Sequence, residues 1–159
     1  MELYFLRHGP AGSRARWTGP DDERPLTDVG KALIESEAAA FAALGLSPDV
    51  IVTSPLARSY QTAKIVARKL GLLDRLVTDE RLAPGFGLRE LRGILDDHPG
   101  AVAVMLVGHE PDFSLTVGDL IGGGTVVFKK GGLGRVDAGD ATLGGAELAW
   151  LLPPSVLTR

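Results

Sequence analysis

The chain has 159 residues, no cysteine and a formal net charge of −3. Disulfides, thiolate catalysis and zinc sites of the cysteine type are therefore excluded, and a general nucleic-acid binder, which would be strongly basic, is not expected. The length suits one domain, 1–159, that buries roughly 70% of the surface its unfolded chain would expose and needs no metal or disulfide staple. No apolar run is long enough to span a bilayer. No basic segment precedes the short apolar run at the N-terminus, so a soluble cytoplasmic protein without a signal peptide or membrane contact is the expectation.

Leu3 to Leu6 is apolar without polar alternation, the pattern of a strand covered on both faces. It ends in Arg7-His8, and Gly9-Pro10 stops it. Residues 10–24 form a polar loop rich in Gly, Pro and charge, long for a connection and so a candidate for function. Trp17 within it either caps the core or lines a pocket. Thr27 predicts a cap for a helix over Asp28–Leu44, with Gly45 at its end and Leu33, Ala40, Phe41 and Leu44 as its apolar stripe. Asp49–Thr53 reads as a short buried strand. A second helix is predicted over Pro55–Leu70, with Ala63, Val66, Ala67 and Leu70 as its stripe and Gly71 at its end.

Leu76–Thr78 reads as a short edge strand, Asp79–Phe86 as a loop turning at Pro84-Gly85, and Gly87–Asp97 as a helix. Ala101–Val107 is the most hydrophobic run and reads as a central strand, leading into Gly108-His109-Glu110-Pro111 and a helix over Asp112–Ile121. Thr125–Leu152 reads as two or three short strands joined by Gly-rich turns, and Pro153-Pro154 ends the ordered chain or holds a short tail. Strands alternating with helices predict an α/β fold with a mostly parallel sheet and an antiparallel partner among the last strands.

In open α/β sheets, ligands bind outside the carboxyl ends of the strands. Three predicted strands end in reactive groups. The first carries Arg7 and His8, the second leads through Ser54-Pro55-Leu56 to Arg58, and the third gives His109 after Gly108. Two arginines and two histidines would meet at one sheet edge with no acidic residue among them, which suits a compact dianion. A guanidinium presents a planar fork that matches phosphate oxygens and keeps its charge at any working pH. A helix N-terminus beside Arg58 adds partial positive charge. A neutral imidazole can attack phosphorus while a second donates to a phosphate oxygen.

Leu6-Arg7-His8-Gly9 resembles the Arg-His-Gly signature of the histidine phosphatase superfamily, which includes the cofactor-dependent phosphoglycerate mutases and many phosphatases. Four further blocks, in order, resemble its SixA-type phosphohistidine phosphatase branch. They are Arg24-Pro25-Leu26-Thr27-Asp28-Val29-Gly30, residues 53–63, Val107-Gly108-His109-Glu110-Pro111-Asp112, and Lys129-Lys130-Gly131-Gly132. One Arg-His-Gly is a weak signal, whereas five ordered blocks over nearly the whole chain are specific. The resemblance implies a three-layer α/β sandwich of the phosphoglycerate-mutase type. It implies that His8 attacks the phosphoryl group in line and that water hydrolyses the resulting phosphohistidine. Arg7, Arg58 and His109 would hold the equatorial oxygens, with Gly9 beside them in the substrate site and a backbone carbonyl near Gly9 on the other nitrogen of His8. No metal or other cofactor is called for.

One departure bears on the substrate. Many members of the superfamily carry a glutamate proton donor after the second helix. Here that stretch is Asp79-Glu80-Arg81-Leu82-Ala83-Pro84-Gly85, and the acid position falls near Pro84. An alkoxide leaves poorly without an acid, but an imidazole protonated on its far nitrogen leaves readily. The expected substrate is therefore phosphohistidine of a signalling protein, acted on by a monomeric enzyme. The alternatives are a small-molecule phosphomonoesterase and a non-catalytic phosphate-binding adaptor.

Several residues read two ways. Ser54 either donates to a phosphate or caps the helix at Pro55. Glu110 and Asp112 either supply a proton or, respectively, orient neighbours and start the next helix. Ser13, Arg14 and Arg16 either touch substrate or are solvated, and Lys129 and Lys130 either meet an acidic phosphoprotein surface or form an exposed turn. His98 reads as a surface turn residue.

Overall fold

The computed structural model describes residues 1–139, 141–142 and 144–159. Six strands, β1 (Glu2–Arg7), β2 (Val50–Thr53), β3 (Leu76–Thr78), β4 (Ala103–Gly108), β5 (Leu133–Ala138) and β6 (Ala146–Leu152), form one sheet in the order β3-β2-β4-β1-β5-β6. β3, β2, β4 and β1 run parallel, and β5 is antiparallel to both of its neighbours. The helices are α1 (Asp28–Ala43), α2 (Ala57–Leu70), α3 (Leu88–Asp96), α4 (Asp112–Leu120) and α5 (Pro154–Leu157).

Successive strand residues face opposite sides of a sheet, so β1 feeds two cores. Leu3 and Phe5 pack with Leu91 and Ile94 of α3 and Phe113 and Val117 of α4. Tyr4 and Leu6 pack with Ile34, Ala38 and Phe41 of α1 and Ala63 and Val66 of α2. The sheet thus lies between two helical layers, as the three-layer sandwich requires. The apolar runs of β1, expected to be covered on both faces, and of β4, expected to be central, are interior: Leu3, Phe5, Leu6, Val104, Met105, Leu106 and Val107 are wholly buried. Each such side chain contributes about 1.5–3 kcal/mol relative to exposure. Behind the end of β4, Phe113 meets Phe5, Phe86 and Phe128 edge-on at centroid distances of 5.2, 5.8 and 6.2 Å.

Thr27 caps α1, its Oγ1 accepting from Gly30 N at 2.9 Å. Three details differ from the sequence reading. The buried stripe of α1 is Gly30, Ile34, Glu37, Ala38 and Phe41, while Leu44 is exposed. α2 starts at Ala57, because Ser54 Oγ takes Leu56 N at 3.2 Å and Leu56 O becomes the first helical acceptor, leaving Pro55 in the turn. Among the described residues the C-terminal stretch forms two strands, within the expected two or three. The segment before β5 is an irregular return that carries Phe128 into the core. Trp17 is exposed and its Nε1 donates to Pro20 O at 2.8 Å, so it does not cap the core. Among the described residues no helix is long and apolar enough to cross a membrane.

Candidate active site

The parallel register delivers the predicted groups to one edge. Arg7 pairs with Gly108. His8 N donates to Gly108 O at 3.1 Å, and Ser54 N donates to Val107 O at 3.0 Å. His8, Ser54 and His109 therefore emerge side by side, with the two imidazole centroids 5.3 Å apart. Arg58, the second residue of α2, is buried beside them.

His8 Nδ1 lies 2.7 Å from Gly9 O. A carbonyl can only accept, so Nδ1 carries the proton and Nε2 keeps its lone pair. Burial pushes His8 down to about 3; the charges of His109, Arg58 and Arg7 add to this, and the Gly9 bond opposes it. His109 is pushed down to about 4, by burial first and then by Arg58. Both rings are neutral at pH 7. His109 Nε2 lies 2.8 Å from Ser54 Oγ and 3.3 Å from Ser59 Oγ. Ser54 thus organises the helix entry and orients the second histidine at once.

Gly9 is fixed from three sides. Its carbonyl holds His8, and its N–H donates at 3.1 Å to Thr62 Oγ1, which donates at 2.8 Å to Arg58 O. A Cβ at position 9 would stand 2.7 Å from Ile34 Cγ1. Gly9→Ala is therefore expected to destabilise the protein by about 1–3 kcal/mol, the usual cost of overpacking, read as a lowered Tm. An unchanged Tm would contradict the close approach to α1.

Both arginines keep a donor in reserve. Arg7 Nη1 donates to Phe128 O at 2.8 Å. Arg58 Nη1 donates to Asp21 O at 2.8 Å and Nη2 to Asp21 Oδ2 at 3.2 Å. Arg7 Nε and Arg58 Nε are buried and have no partner among the described residues. Burial lowers both guanidinium pKa values, opposed at Arg7 by Glu110 and at Arg58 by Asp21. Buried N–H groups are rarely left unpaired, and an oxyanion is the partner that two guanidinium groups favour.

The remaining predicted residues separate into groups. Glu110 accepts from Ser114 N at 2.9 Å and from the Ser114 hydroxyl, and Asp112 Oδ2 accepts from Gly85 N at 2.8 Å at the start of α4. Both carboxylates are thus engaged, the second tying down the loop around exposed Pro84. Lys129 and Lys130 are exposed in a turn whose backbone braces β1, with Gly131 N donating to Arg7 O and His8 O at 3.1 Å each. Arg14 contacts Asp21 at 3.6 Å and is largely exposed. His98 lies in the turn after α3.

Four residues escape the sequence reading. Asp21 joins the arginine cluster, correcting the expectation of a site without an acidic residue, and its only sequence signal is the length of the 10–24 loop. Ser59 and Thr62, one and four residues after Arg58, have no signal beyond that helical spacing. Glu37 is wholly buried in α1, neither carboxylate oxygen having a partner among the described residues. It lies under Gly131, where a Cβ would come within 2.7 Å of its Oε2 and where φ is +84°. Burial pushes the Glu37 carboxyl up to about 8. Among the described residues there is no group of three or more His, Asp or Glu arranged to hold a metal ion.

Comparison with known proteins agrees with this geometry. The chain is 40% identical over 115 residues to an uncharacterized protein of Picosynechococcus sp., covering 70% of this chain and 68% of that one. It is 35% identical over 101 residues to the probable phosphoglycerate mutase GpmB of Yersinia enterocolitica, covering 62% of this chain but only 42% of the mutase. A solved structure provisionally assigned as the phosphohistidine phosphatase SixA of Agrobacterium tumefaciens aligns over 96% of this chain and 97% of that one, with a TM-score of 0.79 and 26% identity. The family model for the histidine phosphatase superfamily (branch 1) matches residues 3–93, which hold Arg7, His8 and Arg58. With strand ends, registers and relatives in accord, the chain belongs to the histidine phosphatase superfamily.

Proposed function

We propose that the protein, acting as a single catalytic domain, is a phosphatase that works through a covalent phosphohistidine on His8 and that its substrate is phosphohistidine on a signalling protein. The observation that carries the reading is the pairing of a neutral His8, protonated on Nδ1 by its bond to Gly9 O, with the unpaired Nε donors of Arg7 and Arg58. In the first step the Nε2 lone pair forms a bond to phosphorus as the bond to the leaving nitrogen breaks. The His8 ring becomes cationic, and Gly9 O stabilises the proton on Nδ1. In the second step water attacks phosphorus and the P–Nε2 bond breaks, returning the neutral ring and releasing inorganic phosphate. No proton moves on His8 in either step. Arg7, Arg58 and His109 offset the charge on the equatorial oxygens, where such preorganised donors act most strongly.

The substrate class follows from the leaving group. Glu110 is held by Ser114 and Asp112 by Gly85 N, so neither carboxylate is free to protonate an alkoxide. A phosphohistidine ring protonated on its far nitrogen leaves as neutral imidazole without an enzyme acid. The SixA likeness favours the same reading. The competing reading, a small-molecule phosphomonoesterase, draws on the likeness to the probable phosphoglycerate mutase. Turnover of a histidine-phosphorylated phosphotransfer domain, set beside a panel of sugar and glycerate phosphates, separates them. The protein substrate is expected to win in kcat/KM by about 10²-fold or more, the range an acid catalyst supplies. Faster hydrolysis of any sugar phosphate would reverse the assignment.

A further inference from the structure

We propose that Asp21 is a positioning residue for the phosphoryl clamp, gripping Arg58 by its outer edge so that the edge carrying Nε is presented to the oxyanion. The proposal rests on the phosphatase reading for its consequence in turnover, and on geometry alone for its consequence in anion binding. A guanidinium carries five N–H donors in one plane. Asp21 takes two of them from one side, its main-chain oxygen accepting from Nη1 at 2.8 Å and its Oδ2 from Nη2 at 3.2 Å. Because the fork is planar and stiff, fixing two donors fixes the direction of the others. One of these, Nε, is buried without a partner among the described residues.

Asp21 is itself anchored. Its Oδ1 accepts from Arg24 Nε at 3.1 Å and lies 3.6 Å from Arg14 Nε. Arg24 reaches on to Gly12 O at 2.6 Å. A single carboxylate therefore locks the loop that follows His8 to the helix that carries Arg58. It also stays anionic. Burial raises its pKa, but the Arg24 hydrogen bond and the charges of Arg58, Arg24 and Arg14 outweigh this and hold it below the usual carboxylate range. Asp21 is thus a fixed counter-ion and not the proton donor absent from the Pro84 loop.

The test measures tungstate binding by calorimetry and turnover on a histidine-phosphorylated domain. The proteins are the wild type, Asp21→Ala, Asp21→Asn, Arg58→Ala and the double variant Asp21→Ala/Arg58→Ala. Asp21→Ala is expected to weaken tungstate binding about tenfold, the scale of one hydrogen bond to a charged group, and to lower kcat/KM in parallel. Asp21→Asn, which keeps a side-chain oxygen acceptor but not the charge, is expected to weaken binding about threefold, and it stands in if the alanine variant does not fold. In the Arg58→Ala background, removing Asp21 should change affinity less than about twofold, because its effect passes through Arg58. Unchanged or tighter tungstate binding in the Asp21 variants overturns the proposal, as does an equal loss with and without Arg58. Wild-type binding that depends on Asp21 as described, without hydrolysis of any phosphorylated substrate, leaves the positioning role standing and removes the phosphatase reading. A wild type that does not bind tungstate removes both.

Discussion

His8→Ala is expected to abolish phosphate release, lowering kcat by roughly 10⁴-fold or more, as removal of a covalent nucleophile does. The acid-labile, base-stable phosphoenzyme that wild type forms with labelled substrate should vanish with it. The fold should persist at a cost of about 1–3 kcal/mol, because Gly9 O loses its donor while Gly9 N keeps Thr62. A variant that still turns over, or still captures label, would show that another residue attacks phosphorus. The same geometry makes a pH prediction. Attack needs neutral His8, and its pKa is pushed down to about 3, with that of His109 at about 4. Enzyme phosphorylation should therefore be flat from pH 5 to 8 on the enzyme side, with activity lost only as pH falls through 4 towards 3. An acid limb centred near 6.5 would mean that the site is wetter than its burial implies.

The second large effect is on stability. Glu37 is raised from 4.5 to about 8 by burial, so the folded state holds its proton where the unfolded chain has lost it. Its contribution is intact below pH 4.5, falls as pH rises from 4.5 to about 8, and is level above that. The two histidines act in the opposite sense: their depressed pKa values mean that stability is lost as pH falls from 6.5 towards 3. Between pH 6.5 and 8 only the Glu37 slope remains of these three, and it amounts to about 2 kcal/mol over that interval. Glu37→Gln should remove the slope and raise stability at pH 8 by on the order of 2–4 kcal/mol, the lower end allowing for the cost of an unpaired amide. Denaturant midpoints at pH 6.5 and 8 measure it. A wild type as stable at pH 8 as at pH 6.5 would show that the carboxylate finds a partner when ionised.

The contrast between Arg58 and Asp21 shows where sequence reading succeeds and stops. Arg58 was legible because a buried-type strand leads straight into its helix, and strand ends are where such folds gather chemistry. The same logic locates Arg7, His8 and His109, and continuous apolar runs mark β1 as covered on both faces and β4 as central. Asp21 sits in a loop among other charged residues, and its role depends on how that loop folds back over α2, which no periodicity encodes. Glu37 was invisible for a related reason. A polar residue within a helical pattern reads as solvent-facing, so the predicted stripe runs through Leu33 and Leu44, whereas packing against β1 and the Gly131 turn brings Glu37 inward. Ser54 was legible as a residue of interest but not as a holder of His109, since that contact spans 55 positions.

The placement of β4 has a consequence for how the enzyme is made. β4 lies at the centre of the sheet, between β2 and β1, yet it is the last of the four parallel strands to be synthesised. Until residue 108 or so has emerged from the ribosome, β1 has no strand beside it, and its apolar residues and both its edges stand open to other chains. Its other neighbour, β5, comes later still. His8 N awaits Gly108 O, Ser54 N awaits Val107 O, and Ser54 Oγ awaits His109. Insertion of one strand therefore joins the two halves of the parallel sheet and aligns the reactive groups in a single late event, before β5 covers the remaining edge of β1. A nascent or truncated chain carrying the whole segment matched by the family model would hold the nucleophile and both arginines but remain inert and prone to aggregation, and the first appearance of activity would time the closure of the sheet.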